Sequence, residues 1–334
     1  MTKKIVLAYA KPDDIALEMG VLGGSGFEVV ATNGGLVTGR PLTDPELWPI
    51  VQDASALLTG LHVVSDEMMA QMPNLELVTR VGTGYDAIDY DAAEKRGIWV
   101  TNVPDYSIDE VSAHAIALTM ALVRHLFEHR QTGQANTWRY MGATPIMRLS
   151  NLTYGIVGLG RIGKASARKA AGLGMKVIAY DPYIPASDFE SVGATSVDFD
   201  TLMSTSDIVS LHVLLNAETR GMIDARALSL MKPSAFLVNT SRGPVVDIPA
   251  LVAAVQAEQI AGAGIDVLPV EPCPVDDPVL HEPRIIVTPH LAASSVEAVR
   301  DVRVRGAEEA LRVLTGSPPK YPVNNPVGVG AAAD

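Results

Sequence analysis

Cysteine is nearly absent from this chain: Cys273 stands alone among 334 residues. One thiol can form neither a disulfide framework nor a cysteine-rich metal site, and no metal is expected. Charge is sparse too, at 19% of residues against 48% apolar, which fits a globular chain and excludes a disordered one. Cations are the minority charge: 26 Lys and Arg face 38 Asp and Glu, for a formal net charge of −12. That balance argues against nucleic acid or an anionic membrane as partner. It does not argue against an anionic substrate, because a few local donors can hold one carboxylate. No run reaches the roughly 18 consecutive apolar residues of a membrane span. The opening MTKKIVLAYAKPDD is too short in its apolar part for a signal-peptide core and reads as a first buried strand. There is no low-complexity tract and no short tandem repeat. We therefore expect a cytoplasmic protein, and its length suggests two domains, each with its own core.

Short β-branched runs alternate with helix-like segments. Strands are expected at Lys4–Ala10, Glu28–Ala31, Ala56–Thr59, Leu75–Val81 and Ile98–Thr101, with an amphipathic helix at Ala87–Arg96 closed by Gly97. A second series follows: Thr153–Val157, Lys176–Asp181, Ile208–His212, Ala235–Asn239, Ala261–Val267 and Ile285–Thr288. Alternation of this kind predicts parallel sheets with helices on both faces, an α/β class. Between the series, Glu110–His129 reads as one long alanine-rich helix, apolar on most sides and so buried between layers or domains, and Arg130–Asn151 as a long loop. Ser294–Leu314 reads as a final helix, with Ser294 and Glu297 forming a capping box and Gly316 marking the stop.

The strongest local signal is TYGIVGLGRIGKASARKAAGLGMKVIAYD. Gly158, Gly160 and Gly163 follow an apolar strand and open a helix, and Asp181 ends the next strand eighteen residues past Gly163. Gly158 permits the tight turn, Gly160 lets backbone approach a pyrophosphate, and Gly163 lets helix and strand pack. The helix N-terminus, with the N–H groups of Arg161 and Ile162, offers donors and partial positive charge to phosphates. Asp181 can accept from the adenosine ribose and would repel a 2′-phosphate. NAD is therefore the expected cofactor, in preference to NADP. Glycines cluster in ordinary turns; here strand, helix and acid coincide.

Three later segments each place a chemically useful side chain after a strand: Arg242 in FLVNTSRGPVVD, Glu271 in AGAGIDVLPVEP, where Asp266 precedes it, and His290 in RIIVTPHLAASSVEAV. Singly, each has a plainer reading: a surface arginine, a solvated loop acid, a histidine that only packs. Together they fall at the carboxyl ends of separate strands in the sheet that carries the glycine loop, where open α/β sheets bind ligands. A planar guanidinium can bind a carboxylate or polarise a carbonyl. Histidine titrates near neutrality and can give or take a proton, and a carboxylate beside it favours its charged form and fixes its orientation. Arg242, Glu271 and His290 are thus the expected catalytic set: a cation for the substrate, a carboxylate that holds the histidine's protonation state, and a histidine that exchanges a proton with an alcohol or ketone.

These residues, with RVGTGYDAID (Arg80–Asp89), NTSRG (Asn239–Gly243), GIDVLPVEP (Gly264–Pro272) and TPHLAASSVEA (Thr288–Ala298), closely resemble the D-isomer-specific 2-hydroxyacid dehydrogenases, from about Leu75 to Leu314. The resemblance implies two Rossmann/flavodoxin-like doubly wound parallel-sheet domains with an interdomain cleft. The substrate-binding domain would be discontinuous, residues 1–102 and 291–334, and residues 103–290 would form the NAD-binding Rossmann domain. It implies cofactor contacts at Thr83, Arg161, Ile162, Asp181, His212, Thr240 and Asp266, beside Gly158, Gly160 and Gly163. Main-chain N–H groups at Thr83 and Gly84 would hold the substrate carboxylate together with Arg242. It also implies a homodimer, with contacts on the alanine-rich helix and the Arg130–Asn151 loop. Within the family, HLAASSVEA and RVGTGYD look like phosphoglycerate dehydrogenase. Yet Leu58-Thr59-Gly60-Leu61 lacks the arginine that enzyme uses for phosphate, and a chain ending near residue 334 is expected to lack a regulatory domain. Glu271 argues against formate as substrate. Tyr85 hints at an uncharged or apolar substituent. Two alternatives stay open: phosphite oxidation, and an NAD(H)-sensing dimeric scaffold like the C-terminal-binding proteins. Those carry a large aromatic where this chain has Ala292 and Ala293.

Overall fold

A computed structural model describes residues 2–32, 41–138 and 145–326. The strands, in chain order, are β1 Lys4–Leu7, β2 Glu28–Ala31, β3 Ala56–Thr59, β4 Leu77–Arg80, β5 Trp99–Thr101, β6 Thr153–Val157, β7 Lys176–Tyr180, β8 Thr195–Ser196, β9 Ile208–Leu211, β10 Phe236–Asn239, β11 Gly262–Ile265 and β12 Ile285–Val287. The helices are α1 Ala16–Leu22, α2 Trp48–Val51, α3 Asp66–Met69, α4 Tyr90–Lys95, α5 Ile108–Val123, α6 Leu126–Gln134, α7 Arg161–Gly172, α8 Ala186–Glu190, α9 Phe199–Thr205, α10 Ala225–Leu230, α11 Ile248–Gln256 and α12 Val296–Leu314. Two compact units result, one of Met1–Tyr106 with Ser295–Asp334 and one of Ser107–Ser294.

The first unit holds a parallel sheet in the order β2-β1-β3-β4-β5. Strands β3, β4 and β5 are buried along their whole length, as expected of parallel strands covered on both faces. The chain returns to this unit through α12. A buried ion pair fixes that return: Glu18 of α1 is fully buried and accepts from Tyr9 Oη at 2.6 Å and from Arg303 Nε of α12 at 2.7 Å. Removing Arg303 would leave the Glu18 charge buried with only the Tyr9 hydroxyl as partner.

The second unit is a parallel sheet in the order β12-β11-β10-β9-β6-β7-β8. The direction of winding reverses between β6 and β9, the switch point where doubly wound sheets open a crevice at their carboxyl ends. Gly264 of β11 lets α5 lie close, since a Cβ there would stand 3.0 Å from Leu118 Cβ.

Three expectations need correction. The helix expected over Glu110–His129 is two helices: α5 ends at Val123, His125 turns left-handed at φ 49°, and α6 runs on to Gln134 without a buried residue. A left-handed residue ends a helical run, so Arg130–Gln134 is helical rather than loop. Residues 139–144 of that expected loop lie outside the described residues. The N-cap of α12 is Ser295, not Ser294: its Oγ accepts from Ala298 N at 2.9 Å. Glu297 sits one position too early for a capping box, although its charge suits the first turn. The pair Thr195–Ser196, unanticipated, forms the edge strand β8. Among the described residues no helix is long and apolar enough to cross a membrane.

Candidate active site

Every candidate residue of the second unit stands at the carboxyl edge of its sheet, and strand order sets their sequence in space. His290 follows β12, Asp266 and Glu271 follow β11, Thr240 and Arg242 follow β10, His212 follows β9, the glycine loop follows β6 and Asp181 follows β7. At ~4.8 Å per strand, the edge from β11 to β7 is about 19 Å long, enough for an extended dinucleotide.

At the β7 end, Gly158 adopts φ 89°, and a Cβ on it would meet the His212 carbonyl oxygen at 2.8 Å. A Cβ on Gly163 would stand 2.2 Å from the Gly158 oxygen, so this glycine lets α7 seat against the turn. Gly160 is the N-cap of α7, and space in front of it is open: a Cβ there meets no atom within 4 Å. The first backbone bond of the turn runs from Lys164 N to Gly160 O at 2.9 Å. Arg161, Ile162 and Gly163 therefore present N–H groups that precede the helical ladder. The Asp181 carboxylate is drawn into this loop, accepting from Leu159 N at 2.9 Å and from Tyr183 N at 3.0 Å. His212 Nε2 meets Ser210 Oγ at 3.0 Å. Burial pushes its pKa down to about 4, so the ring is neutral near pH 7.

At the other end, Glu271 and His290 meet directly: Nδ1 of His290 lies 2.6 Å from Oε2 of Glu271, while Oε1 accepts from Leu268 N at 2.8 Å. That distance is short even for a charge-assisted bond. Burial, the largest influence on Glu271, favours its neutral form. The hydrogen bond and charge of His290, the Leu268 N–H and Arg242 together outweigh burial and hold the carboxyl below its ordinary pKa. Glu271 is thus an anion that orients the ring and leaves Nε2 as the end available for proton exchange. Arg242 follows Asn239, whose side chain braces the turn by donating to the Arg242 carbonyl at 2.9 Å and accepting from Ser241 Oγ at 2.7 Å.

Several residues that shape this region were not singled out in the sequence. Gly243 is one: a Cβ there would lie 2.0 Å from the carbonyl carbon of Leu268 and 2.4 Å from Pro269 N, so only glycine lets the Arg242 and Glu271 loops touch. Thr288 and His114 are others; Thr288 Oγ1 donates to Asp266 Oδ1 at 2.6 Å and lies 3.0 Å from His114 Nε2. Asp266 is 2% exposed, and its carboxylate also accepts from Leu291 N at 3.1 Å and Ala292 N at 3.0 Å. These bonds hold the turn in which His290 adopts φ 51°, a left-handed conformation that costs a non-glycine residue of order 1–3 kcal/mol. A carboxylate engaged with a main-chain turn leaves no mark in a linear motif.

Thr83 and Gly84 belong to the first unit, at the carboxyl end of β4. Gly82 precedes them at φ 154°, where a Cβ would overlap the Arg80 guanidinium at 2.4 Å. Asn102 Nδ2 donates to the Thr83 carbonyl at 2.6 Å. Both N–H groups stay without an acceptor among the described residues.

Residues 116–292 match the model of the "D-isomer specific 2-hydroxyacid dehydrogenase, NAD binding domain". The chain belongs to the D-isomer-specific 2-hydroxyacid dehydrogenase family. It is 37% identical over 291 residues to a D-3-phosphoglycerate dehydrogenase of Mycobacterium leprae, covering 86% of this chain and 55% of that protein. It therefore spans about half the length of such relatives. To a glyoxylate reductase of Thermococcus litoralis it is 38% identical over 284 residues, covering 83% of this chain and 86% of the other. Among solved structures, a D-lactate dehydrogenase from Aquifex aeolicus, complexed with NAD and lactic acid, superposes with a TM-score of 0.82 at 28% identity, covering 93% and 94% of the two chains.

The second unit contains the family's NAD-binding domain, and its own atoms fit a dinucleotide. The open face at Gly160 and the N-terminus of α7 suit a pyrophosphate. Thr240 Oγ1 is buried and has no hydrogen-bond partner among the described residues, a lack that costs free energy unless a ligand supplies one.

Proposed function

We propose that the protein catalyses NAD-dependent interconversion of a small 2-oxo acid and the corresponding D-2-hydroxy acid. The observation that carries this reading is the 2.6 Å bond between His290 Nδ1 and Glu271 Oε2, after the neighbouring strands β12 and β11, with Arg242 after the next strand, β10, in the sheet that bears the glycine loop. NADH, when bound, would supply the hydride that this reduction requires. Arg242 holds the carboxylate and draws electron density toward the carbonyl oxygen. His290 delivers the proton from Nε2 to that oxygen, and in the reverse direction removes it. Glu271 stabilises the ring's cation and keeps it aligned. Main-chain N–H groups of Thr83 and Gly84 take the second share of the carboxylate. Asp181 receives the adenosine ribose. His212, Thr240 and the remaining acceptor capacity of Asp266 serve the nicotinamide half, while Gly158, Gly160, Arg161, Ile162 and Gly163 serve the pyrophosphate.

The substrate we favour is short and carries no phosphate. At the carboxyl end of β3, Thr59 is fully buried and its hydroxyl lies 3.3 Å from His62 Nδ1. Burial, and then the charge of Arg80, push His62 below its ordinary pKa, so this segment offers no histidine cation near neutrality. The glyoxylate reductase and D-lactate dehydrogenase relatives point the same way. We further propose a cytoplasmic homodimer joined through α5, α6 and the segment after them. Leu126 and Phe127 are about half exposed and Trp138 is 86% exposed, an apolar arm that a second copy would cover. The single cysteine suits a reducing compartment. The test is His290→Ala: turnover of 2-oxo acids should be abolished while NADH binding, followed by fluorescence, persists. Parallel loss of binding would contradict the role.

A further inference from the structure

His114 and Leu118 are one helical turn apart on α5, and Leu118 is the side chain that meets Gly264 on β11. Gly264 and Asp266 are two residues apart on an extended segment and share a face. The close approach at Gly264 therefore delivers His114 to Asp266. Nε2 of His114 lies 3.0 Å from Thr288 Oγ1 and 3.6 Å from Asp266 Oδ1. A hydroxyl has one proton, and that of Thr288 goes to Asp266 at 2.6 Å. Thr288 must accept from His114, which assigns the His114 proton to Nε2. The chain of donors runs from His114 through Thr288 to Asp266. The Asp266 carboxylate then takes Leu291 N and Ala292 N, while its carbonyl takes His290 N at 2.8 Å.

We infer that His114 and Thr288 are positioning residues that, through the Asp266 carboxylate, hold the left-handed turn carrying His290 in line with Glu271. The inference rests on the catalytic role proposed above for His290. Neither side chain touches the Glu271–His290 pair, although the Thr288 carbonyl accepts from His290 N at 3.0 Å; both side chains act on the main chain that presents the pair. A hydroxyl at 288 is needed because one group must accept from an imidazole and donate to a carboxylate at once. Valine has the same shape and can do neither.

The test uses full-length Thr288→Val, Thr288→Ser, His114→Leu and His114→Gln, the last keeping a donor. Three quantities are read: the downfield proton NMR resonance of His290 Nδ1–H bonded to Glu271, the Kd for NADH, and kcat with the best 2-oxo acid. Thr288→Val should shift or lose the resonance and lower kcat about 10- to 100-fold, with the NADH Kd changed less than about threefold. His114→Leu should act in the same direction more weakly, and Thr288→Ser and His114→Gln should restore most of both signals. An unchanged resonance with a weakened NADH Kd would overturn the inference and assign the network to the cofactor pocket. An unchanged resonance and kcat in both Thr288→Val and His114→Leu would overturn it outright. If the wild-type protein turns over no 2-oxo acid, yet its resonance is present and disappears in Thr288→Val, the positioning stands and the proposed reaction fails.

Discussion

Gly243 and Leu268 touch backbone to backbone: a Cβ on the glycine would lie 2.0 Å from the Leu268 carbonyl carbon and 2.3 Å from its oxygen. The contact fuses the loop after β10, which carries Arg242, to the loop after β11, which carries Glu271. Gly243→Ala must push these loops apart, at a cost of ~1–3 kcal/mol for overpacking. We expect a lower melting temperature and a fall of roughly 100-fold in kcat/KM, with NADH affinity little changed. Melting curves and steady-state kinetics check this.

Glu271 and His290 form one unit, so a neutral partner should reveal what the charge contributes. Glu271→Gln keeps the shape and removes the anion that stabilises the protonated ring. The rate of 2-oxo acid reduction should fall by about 100-fold or more. The stability effect has a defined sign. The carboxyl is held below its ordinary 4.5, so the stability it contributes is complete above that value and lost as pH falls through the lowered one. Wild type and Glu271→Gln should therefore converge in stability in acid, as measured by denaturant titration across pH.

Asp181 accepts from two main-chain N–H groups of the surrounding loops and is the proposed ribose acid. Asp181→Ala should weaken NADH binding about tenfold and narrow the preference for NADH over NADPH by removing the charge that repels a 2′-phosphate. Titration calorimetry with both cofactors measures the ratio; an unchanged ratio would remove Asp181 from this role.

The neutral His212 makes a different pH prediction. Its folded pKa is about 4 against an ordinary 6.5, so the unfolded chain takes up the proton first as pH falls. Stability should be complete above about pH 6.5 and decline toward pH 4, by up to ~3 kcal/mol if the whole shift is expressed. His212→Gln should flatten that decline in urea titrations.

Legibility in the sequence followed the range of the forces involved. Strands such as Ala56–Thr59 and Thr153–Val157 were readable to the residue because burial on both faces writes continuous apolar runs. The glycine loop was readable because each glycine answers to a local steric need. The break at His125 was hidden, since both flanking segments are good helix formers and a left-handed histidine has no sequence signature. The capping residue of α12 was missed by one position because Ser294 and Ser295 are equivalent until the chain's direction is known. Gly243, Thr288 and His114 matter only through what other strands and α5 bring to them, which no local pattern records.

The measurement that bears most directly on the account is NADH oxidation by the purified protein against glyoxylate, pyruvate, hydroxypyruvate, phenylpyruvate and 3-phosphohydroxypyruvate, with chiral analysis of the products and phosphite tried with NAD. The account predicts robust turnover of a short, unphosphorylated 2-oxo acid and, where the product is chiral, the D-hydroxy acid alone. Tight NADH binding without turnover of any 2-oxo acid would contradict it, and would leave phosphite oxidation or an NAD(H)-sensing scaffold as the reading to pursue.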